Sequence, residues 1–151
     1  MFSFNYADGS APGSRMVQDA KGNFYGTTGG GGASQNGTIF ELTKKGTEIV
    51  LHNFTGAGDG AGPYGGVVRD AKGNLYGTTF QGAGSGCGGY GCGTVYKLDS
   101  TGNFTVLHVF TGKADGGQPD GSLILDKTGN LYGTTSTGGS SNAGTVFMLT
   151  P

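Results

Sequence analysis

GNLYGTT stands at 73–79 and again, letter for letter, at 129–135, and GNFYGTT stands at 22–28. Three near-identical phrases in a chain of 151 residues mark an internal repeat, and a repeat decides a fold before any single element does. Other markers move with it. Asp19, Asp70 and Asp126 precede the phrase at spacings of 51 and 56 residues, and the pair Asp-Gly recurs with the same spacings at Asp8, Asp59 and Asp115. GTIF, GTVY and GTVF begin at Gly37, Gly93 and Gly144 with the spacings reversed. Five extra residues between Thr79 and Gly93 account for the reversal. The chain is one repeat domain of three units, roughly 1–50, 51–106 and 107–151.

Each unit reads as four strands. Strand a is RMVQD, GVVRD or SLILD; strand b is NFYGTT or NLYGTT; strand c is GTIFEL, GTVYKL or GTVFML; strand d is EIVLHNF or FTVLHVF, with only MFSF in the first position. The a–b and c–d connections (DAKGN, DKTGN, TKKGT, DSTGN) are tight polar turns with glycine where a positive φ is needed. Two hairpins in succession make a four-stranded antiparallel meander. Strand b places Leu75 beside Tyr76 and Leu131 beside Tyr132, so both sheet faces carry large side chains, as a sheet stacked between two others requires. This predicts an all-β fold, a β-propeller with three four-stranded blades per chain.

The chain starts on a strand-d-like piece, 1–6, and ends after strand c, so the expectation is that the first strand completes a blade begun at the C-terminus. Rings of this kind use about four to eight blades. Three would leave two apolar sheet faces bare, and two chains would close a six-bladed ring; without closure the same contact gives an open filament. The chain itself, as a homodimer, is therefore the expected partner. The alternative is a β-trefoil monomer, which also has three units of four strands in a similar length.

Composition agrees with a turn-rich β protein: 35 glycines, 4 prolines and 13% charged residues. The net charge of −1 and scattered Lys and Arg give no stripe for nucleic acid. No apolar run is long enough to insert in a membrane. MFSFNYADG lacks the charged and apolar regions of a signal peptide.

The pattern D-x-x-G-N-L-Y-G-T-T, a Gly-rich gap, G-T-V-F-x-L-T, then V-L-H-x-F-T-G-x-x-D-G resembles the GloVer tandem repeats of bacterial "choice-of-anchor" proteins, over the whole chain. More loosely, GNLY after an apolar strand is similar to the blades of NHL and streptogramin-lyase-type propellers. The resemblance implies a secreted or surface-attached protein, hence an extracellular location, and implies no particular activity.

Variability gathers in the b–c loops (29–36, 80–92, 136–143) and the d–a loops, which a propeller places on one face, where binding sites usually sit. The candidate ligand residues lie there. Asp8, Asp59 and Asp115 either form a ring of carboxylates for sugar hydroxyls or cap their own Asp-Gly turns; the turn reading is favoured, and too few oxygens cluster for a metal. Thr27, Thr28, Thr78, Thr79, Thr134 and Thr135 end strand b, as β-branched strand residues or as repeated hydroxyls for a polar ligand. Tyr64 and Tyr90 are aromatic residues in Gly-rich loops, suited to stacking on sugar rings. Cys87 and Cys92 in CGGYGC read as a disulfide pinning the longest loop, since a zinc site would need more ligands. His52 and His108 are equivalent, and Phe2 takes their place in the first position, which favours packing.

No nucleophile, metal or cofactor motif is present, so no cofactor is expected. The function expected is a non-catalytic extracellular binding or scaffold module, with a polysaccharide as the candidate ligand. The alternative is a purely structural, self-assembling repeat, and the third reading is an enzyme with its site at a chain junction.

Overall fold

The structure is a computed structural model that describes residues 1–151. It contains three antiparallel meanders. The first holds β1 (Val17–Gln18), β2 (Phe24–Thr28), β3 (Thr38–Leu42) and β4 (Glu48–Asn53). The second holds β5 (Val68–Arg69), β6 (Leu75–Thr79), β7 (Thr94–Leu98) and β8 (Phe104–Val109). The third holds β9 (Ile124–Leu125), β10 (Leu131–Thr135) and β11 (Thr145–Leu149). A short 3₁₀ turn at Cys87–Gly89 is the one helical element. The chain is an all-β propeller arc of three blades, with the third blade one strand short.

Two expectations need correction. Strand a is paired over only two residues in each blade. The residues before it serve the neighbouring blade instead: a Cβ on Gly66 would lie 2.3 Å from the Arg15 carbonyl oxygen, and one on Gly65 would lie 2.5 Å from that of Gly121. Such close backbone contact between blades leaves no ladder to extend. Residues 1–4 are likewise not in a strand. Their ladder partner by repeat would be the outer edge of β11, at the far end of the arc. They nevertheless keep a strand-d posture. Phe2 meets Phe4 edge-on at 5.1 Å, as His52 meets Phe54 at 4.9 Å and His108 meets Phe110 at 4.7 Å. Phe4 then rests on Phe40 at 5.0 Å, as Phe54 rests on Tyr96 at 5.2 Å and Phe110 on Phe147 at 5.1 Å.

The turns follow from Asp-x-x-Gly-Asn. Asp70 accepts hydrogen bonds from the Asn74 N–H at 2.9 Å, the Asn74 amide at 2.7 Å and the Tyr76 hydroxyl at 3.2 Å, while Gly73 takes φ +91°. Burial opposes ionisation of Asp70, but these donors outweigh it and hold the carboxyl below its ordinary range. Asp19 and Asp126 repeat the arrangement.

The repeated Tyr-Gly-Thr-Thr has a steric cause. Gly26, Gly77 and Gly133 stand opposite Phe40, Tyr96 and Phe147 in the ladder. A Cβ at Gly26 or Gly133 would lie 2.8 or 2.5 Å from the ring across from it, and one at Gly77 would lie 2.3 Å from the Tyr96 hydroxyl and 2.6 Å from its ring. The glycine therefore accommodates an aromatic of its own blade rather than the approach of another sheet.

The core lies between blades. Ile39, Phe54, Val67, Leu75, Tyr96 and Leu98 form the cluster between the first and second, and Tyr76, Cys92, Val95, Phe110, Leu123 and Leu131 the cluster between the second and third. Leu75 and Tyr76, adjacent in sequence, thus serve opposite faces of one blade.

The Tyr96 hydroxyl is fully buried without a hydrogen-bond partner, and its equivalents are Phe40 and Phe147. Burial alone drives its pKa upward. Tyr96→Phe should raise stability by about 1 kcal/mol in urea unfolding, because it removes an unpaired buried group. Gly77→Ala should lower it by about 1–3 kcal/mol through overpacking against the same ring.

Candidate functional site

The face carrying the variable loops is built from loop pairs. Each d–a loop bridges to the b–c loop of the blade it enters, at Ser10–Gly30, Ala61–Gln81 and Gly117–Thr137. The same d–a loop also touches the preceding blade: the Gly62 N–H donates to the Asn36 carbonyl at 2.9 Å, and the Gln118 N–H to the Cys92 carbonyl at 2.8 Å. Each loop is a wedge held from both sides.

The threonine pairs make these joints. Thr79 Oγ1 donates to the Gln81 carbonyl at 3.1 Å, accepts the Thr94 N–H at 3.1 Å and lies 2.8 Å from Thr94 Oγ1. Thr94 Oγ1 reaches the Asp59 carbonyl at 3.4 Å. Thr28 and Thr135 repeat the pattern with Thr38 and Thr145. Gly60, φ +98°, faces this hydroxyl; a Cβ there would stand 2.0 Å from Thr79 Oγ1. The glycine of each Asp-Gly pair is thus the counterpart of the second threonine. The first threonine reaches the next blade, Thr27 donating to the Gly65 carbonyl at 3.0 Å and Thr78 to that of Gly121 at 3.3 Å. Thr27, Thr28, Thr78, Thr79 and Thr135 are buried in the chain, with their hydroxyls engaged in these joints, and Thr134 is exposed. Thr79→Val should lower stability by about 1–3 kcal/mol in urea unfolding, since it leaves the buried Thr94 N–H without its acceptor.

Asp8, Asp59 and Asp115 do not converge, and no group of three or more metal-ligating side chains forms. Each carboxylate serves its own turn. Asp59 accepts from the Thr55 N–H at 2.9 Å, the Thr55 hydroxyl at 2.5 Å and His52 Nε2 at 3.2 Å. Asp115 repeats this with Thr111 and His108, while Asp8 holds the Asn5 N–H at 2.7 Å and the Asn5 amide at 2.6 Å. The His–Asp pairs were not visible in the sequence, although both residues recur seven positions apart in two units. His52 is also stacked on Phe104 at 4.0 Å, as a packing residue would be.

Burial lowers the His52 pKa below 6.5, against the opposing pull of Asp59. A lowered folded pKa means that the unfolded chain binds more protons between the two values. This contribution to stability is complete above about pH 6.5 and declines as pH falls toward the folded pKa. His52→Phe, which copies Phe2, should flatten the melting temperature across that window.

The exposed candidates are the tyrosines. Tyr64 is 53% exposed and Tyr90 71%. The Tyr64 ring lies over Gly29 and sits 5.6 Å from Phe80, so it bridges the b–c loops of two blades. Tyr6, 75% exposed in the first d–a loop, belongs with them and was missed, although it carries the same signal of an aromatic beside glycine and alanine. Cys87 and Cys92 are joined as a disulfide, with Cα atoms 5.2 Å apart. Their sulfurs pack on Gly112 and Gly117 of the next d–a loop, so the bridge pins the longest loop and braces the second blade against the third.

Two open cavities lie away from this face. One, of about 570 Å³, is lined by strand a of all three blades and includes Arg15, Gln18 and Arg69. The other, of about 560 Å³, lies between the first two blades on the short-turn side, near Asp19, Lys21, Glu41, Arg69 and Asp99. The regularity of those short turns gave no hint of it. Asp19 and Asp99 are already committed to their own turns, and the Arg69 guanidinium lies 5.7 Å from the Tyr25 ring centroid.

An arc of meander blades with inner strands a and looped upper joints is a β-propeller module. The chain belongs to the Gloeobacter/Verrucomicrobia repeat family, whose model matches residues 1–151. Among solved structures it is similar to a protein provisionally named a gluconolactonase (TM-score 0.52, 19% identity), covering 90% of this chain and 43% of that one. It is also similar to streptogramin B lyase (TM-score 0.52, 16% identity), covering 90% of this chain and 39% of that one. The chain therefore spans less than half the length of either neighbour, and at these identities the likeness is one of fold. No curated protein matches it in sequence. No helix is long and apolar enough to cross a membrane.

Proposed function

We propose that the chain is a non-catalytic propeller module of an extracellular or surface-attached bacterial protein, and that it binds polysaccharide through its variable loop face. The observation that carries this reading is the display of Tyr6, Tyr64 and Tyr90, exposed on glycine-rich loops whose bases are fixed by the threonine joints. Aromatic rings held on rigid backbone offer flat apolar surface with a polar hydroxyl at the edge, which suits the faces and hydroxyls of a sugar. Loops over a rigid scaffold are the common place for such recognition. The disulfide supports an oxidising, extracellular setting.

A non-catalytic role fits the titratable groups. The two histidines are each held to one turn aspartate, and the family aspartates are occupied by backbone and Asn donors. Each histidine bonds its turn aspartate and not a hydroxyl or thiol that it could activate.

Affinity electrophoresis in gels containing soluble polysaccharides tests the reading. Retardation should appear with at least one neutral or acidic glycan, and Tyr64→Ala with Tyr90→Ala should weaken it about tenfold, roughly 1.4 kcal/mol, with the fold unchanged. Retardation that the double variant leaves intact would reject these residues, and its absence across a broad glycan set would reject the ligand class.

A further inference from the structure

The two ends of the arc carry matching halves of one interface. On the outward face of strand c, Ile39 and Val95 are 0% exposed because the next blade covers them, whereas Val146 at the same repeat position is 81% exposed. On the opposite face, Val67 and Leu123 are 2% and 3% exposed, whereas their equivalent Met16 is 45% exposed. Pro63 and Pro119 are buried against Gly37 and Gly93; Pro12 is exposed and Gly144 has no proline over it. Thr27 and Thr78 donate to the next blade's Gly65 and Gly121, whereas Thr134 is exposed and the corresponding acceptor, the Ser14 carbonyl, stands at the other end of the chain. Finally, β3 pairs with β4 and β7 with β8, but the outer edge of β11 is unpaired, while residues 2–4 hold a strand-d posture beside the first blade.

We infer that a second copy of this chain covers the β11 face, joined head-to-tail at both ends in a six-bladed ring. Every group missing at one end is present at the other in the position the repeat demands. Six blades fall within the range of about four to eight that such rings use, and a head-to-tail contact that closes after two copies gives a finite particle. The internal blades set the register. His108 stands opposite Val95, Val109 opposite Thr94, and the Phe110 N–H donates to the Gly93 carbonyl at 3.0 Å. Phe2 of the second copy accordingly stands opposite Val146, Ser3 opposite Thr145, and the Phe4 N–H donates to the Gly144 carbonyl. The Thr134 hydroxyl donates to the Ser14 carbonyl, and Pro12 settles on Gly144. The contact lies mainly on the flat of the sheets and uses none of Tyr6, Tyr64 and Tyr90, so it stands or falls independently of that reading.

Light scattering coupled to gel filtration at micromolar concentration tests it. One species of twice the 15.1 kDa chain mass is expected; a monomer, or a polydisperse series of larger species, overturns the ring. Val146→Asp and Met16→Asp, at positions exposed within the single chain, should each shift the mass to 15.1 kDa with an unchanged far-UV spectrum. An equimolar mixture of the two variants should recover the doubled mass, because one of the two junctions then carries neither change. A symmetric contact between two Val146 faces predicts instead that Met16→Asp leaves the mass unaltered, and that result overturns the head-to-tail assignment. As a second measurement, a protein carrying both Phe2→Cys and Val146→Cys should form an intermolecular disulfide seen on a non-reducing gel; its absence under oxidising conditions also counts against the proposal.

Discussion

Two threonine hydroxyls, 2.8–2.9 Å apart at the ends of strands b and c, fix each blade to the loop that enters it. A hydroxyl donates once and accepts twice, so a buried pair of them can accept a backbone N–H, donate to one loop carbonyl and bond each other, with the second loop carbonyl in longer contact. That geometry has a steric condition: the loop residue facing the hydroxyl must have no Cβ. Gly9, Gly60 and Gly116 meet it, all with positive φ. The glycine then turns the chain toward the next blade, where the following proline covers a glycine of the preceding one and the first threonine finds its carbonyl. Loop path, blade spacing and interblade core descend from this one joint. Chain-wide, the fold is quasi-one-dimensional, with each blade stabilised chiefly by its neighbours.

The repeat, the meander and the polar turns were legible because they depend on local chemistry. Asp19, Asp70 and Asp126 cap turns through residues two to six positions away, and such contacts can be read from spacing alone. The role of the threonines was not legible in the same way, since a hydroxyl at a strand end looks alike whether it meets a ligand or a neighbouring loop. One clue was available. Thr-Thr, Asp-Gly and Gly-Thr never vary among the three units while the loops around them do, as expected of a joint and not of a recognition surface. The glycine of Tyr-Gly-Thr-Thr carries no local signal of its role, which the register supplies: it stands across the ladder from an aromatic residue in every blade. Strand d in the first position was read from Phe2 and Phe4, whose ring geometry is as expected, but a ladder needs an edge to pair with, and the single chain places that edge elsewhere.

The disulfide loop shows how the scaffold tolerates change. Asn36 in the first unit and Cys92 in the second occupy the same place and offer the same carbonyl to the next d–a loop. The five inserted residues bulge above that bond and return, and the sulfurs fill the space over Gly112 and Gly117. Backbone pairing is kept below while composition is free above. Side chains on the loop tips, Tyr90 among them, can therefore change without disturbing the blades.

This separation gives the two ends of the arc and the loop face different physical roles. The ends are flat sheet surfaces whose equivalents inside the arc are almost completely buried, so leaving them in water forfeits the apolar burial that every internal junction gains. The loop face gains nothing from a further blade except number. In a head-to-tail ring the two-fold axis runs through the centre, so both copies turn their variable loops to the same side. A repeating polymer such as a polysaccharide would then meet two identical loop sets on one rigid face, and its second engagement would be intramolecular. Weak individual contacts from single exposed tyrosines are sufficient under that arrangement, provided the spacing between the loop sets matches the ligand. The scaffold's rigidity, set by the threonine joints, is what would keep that spacing fixed.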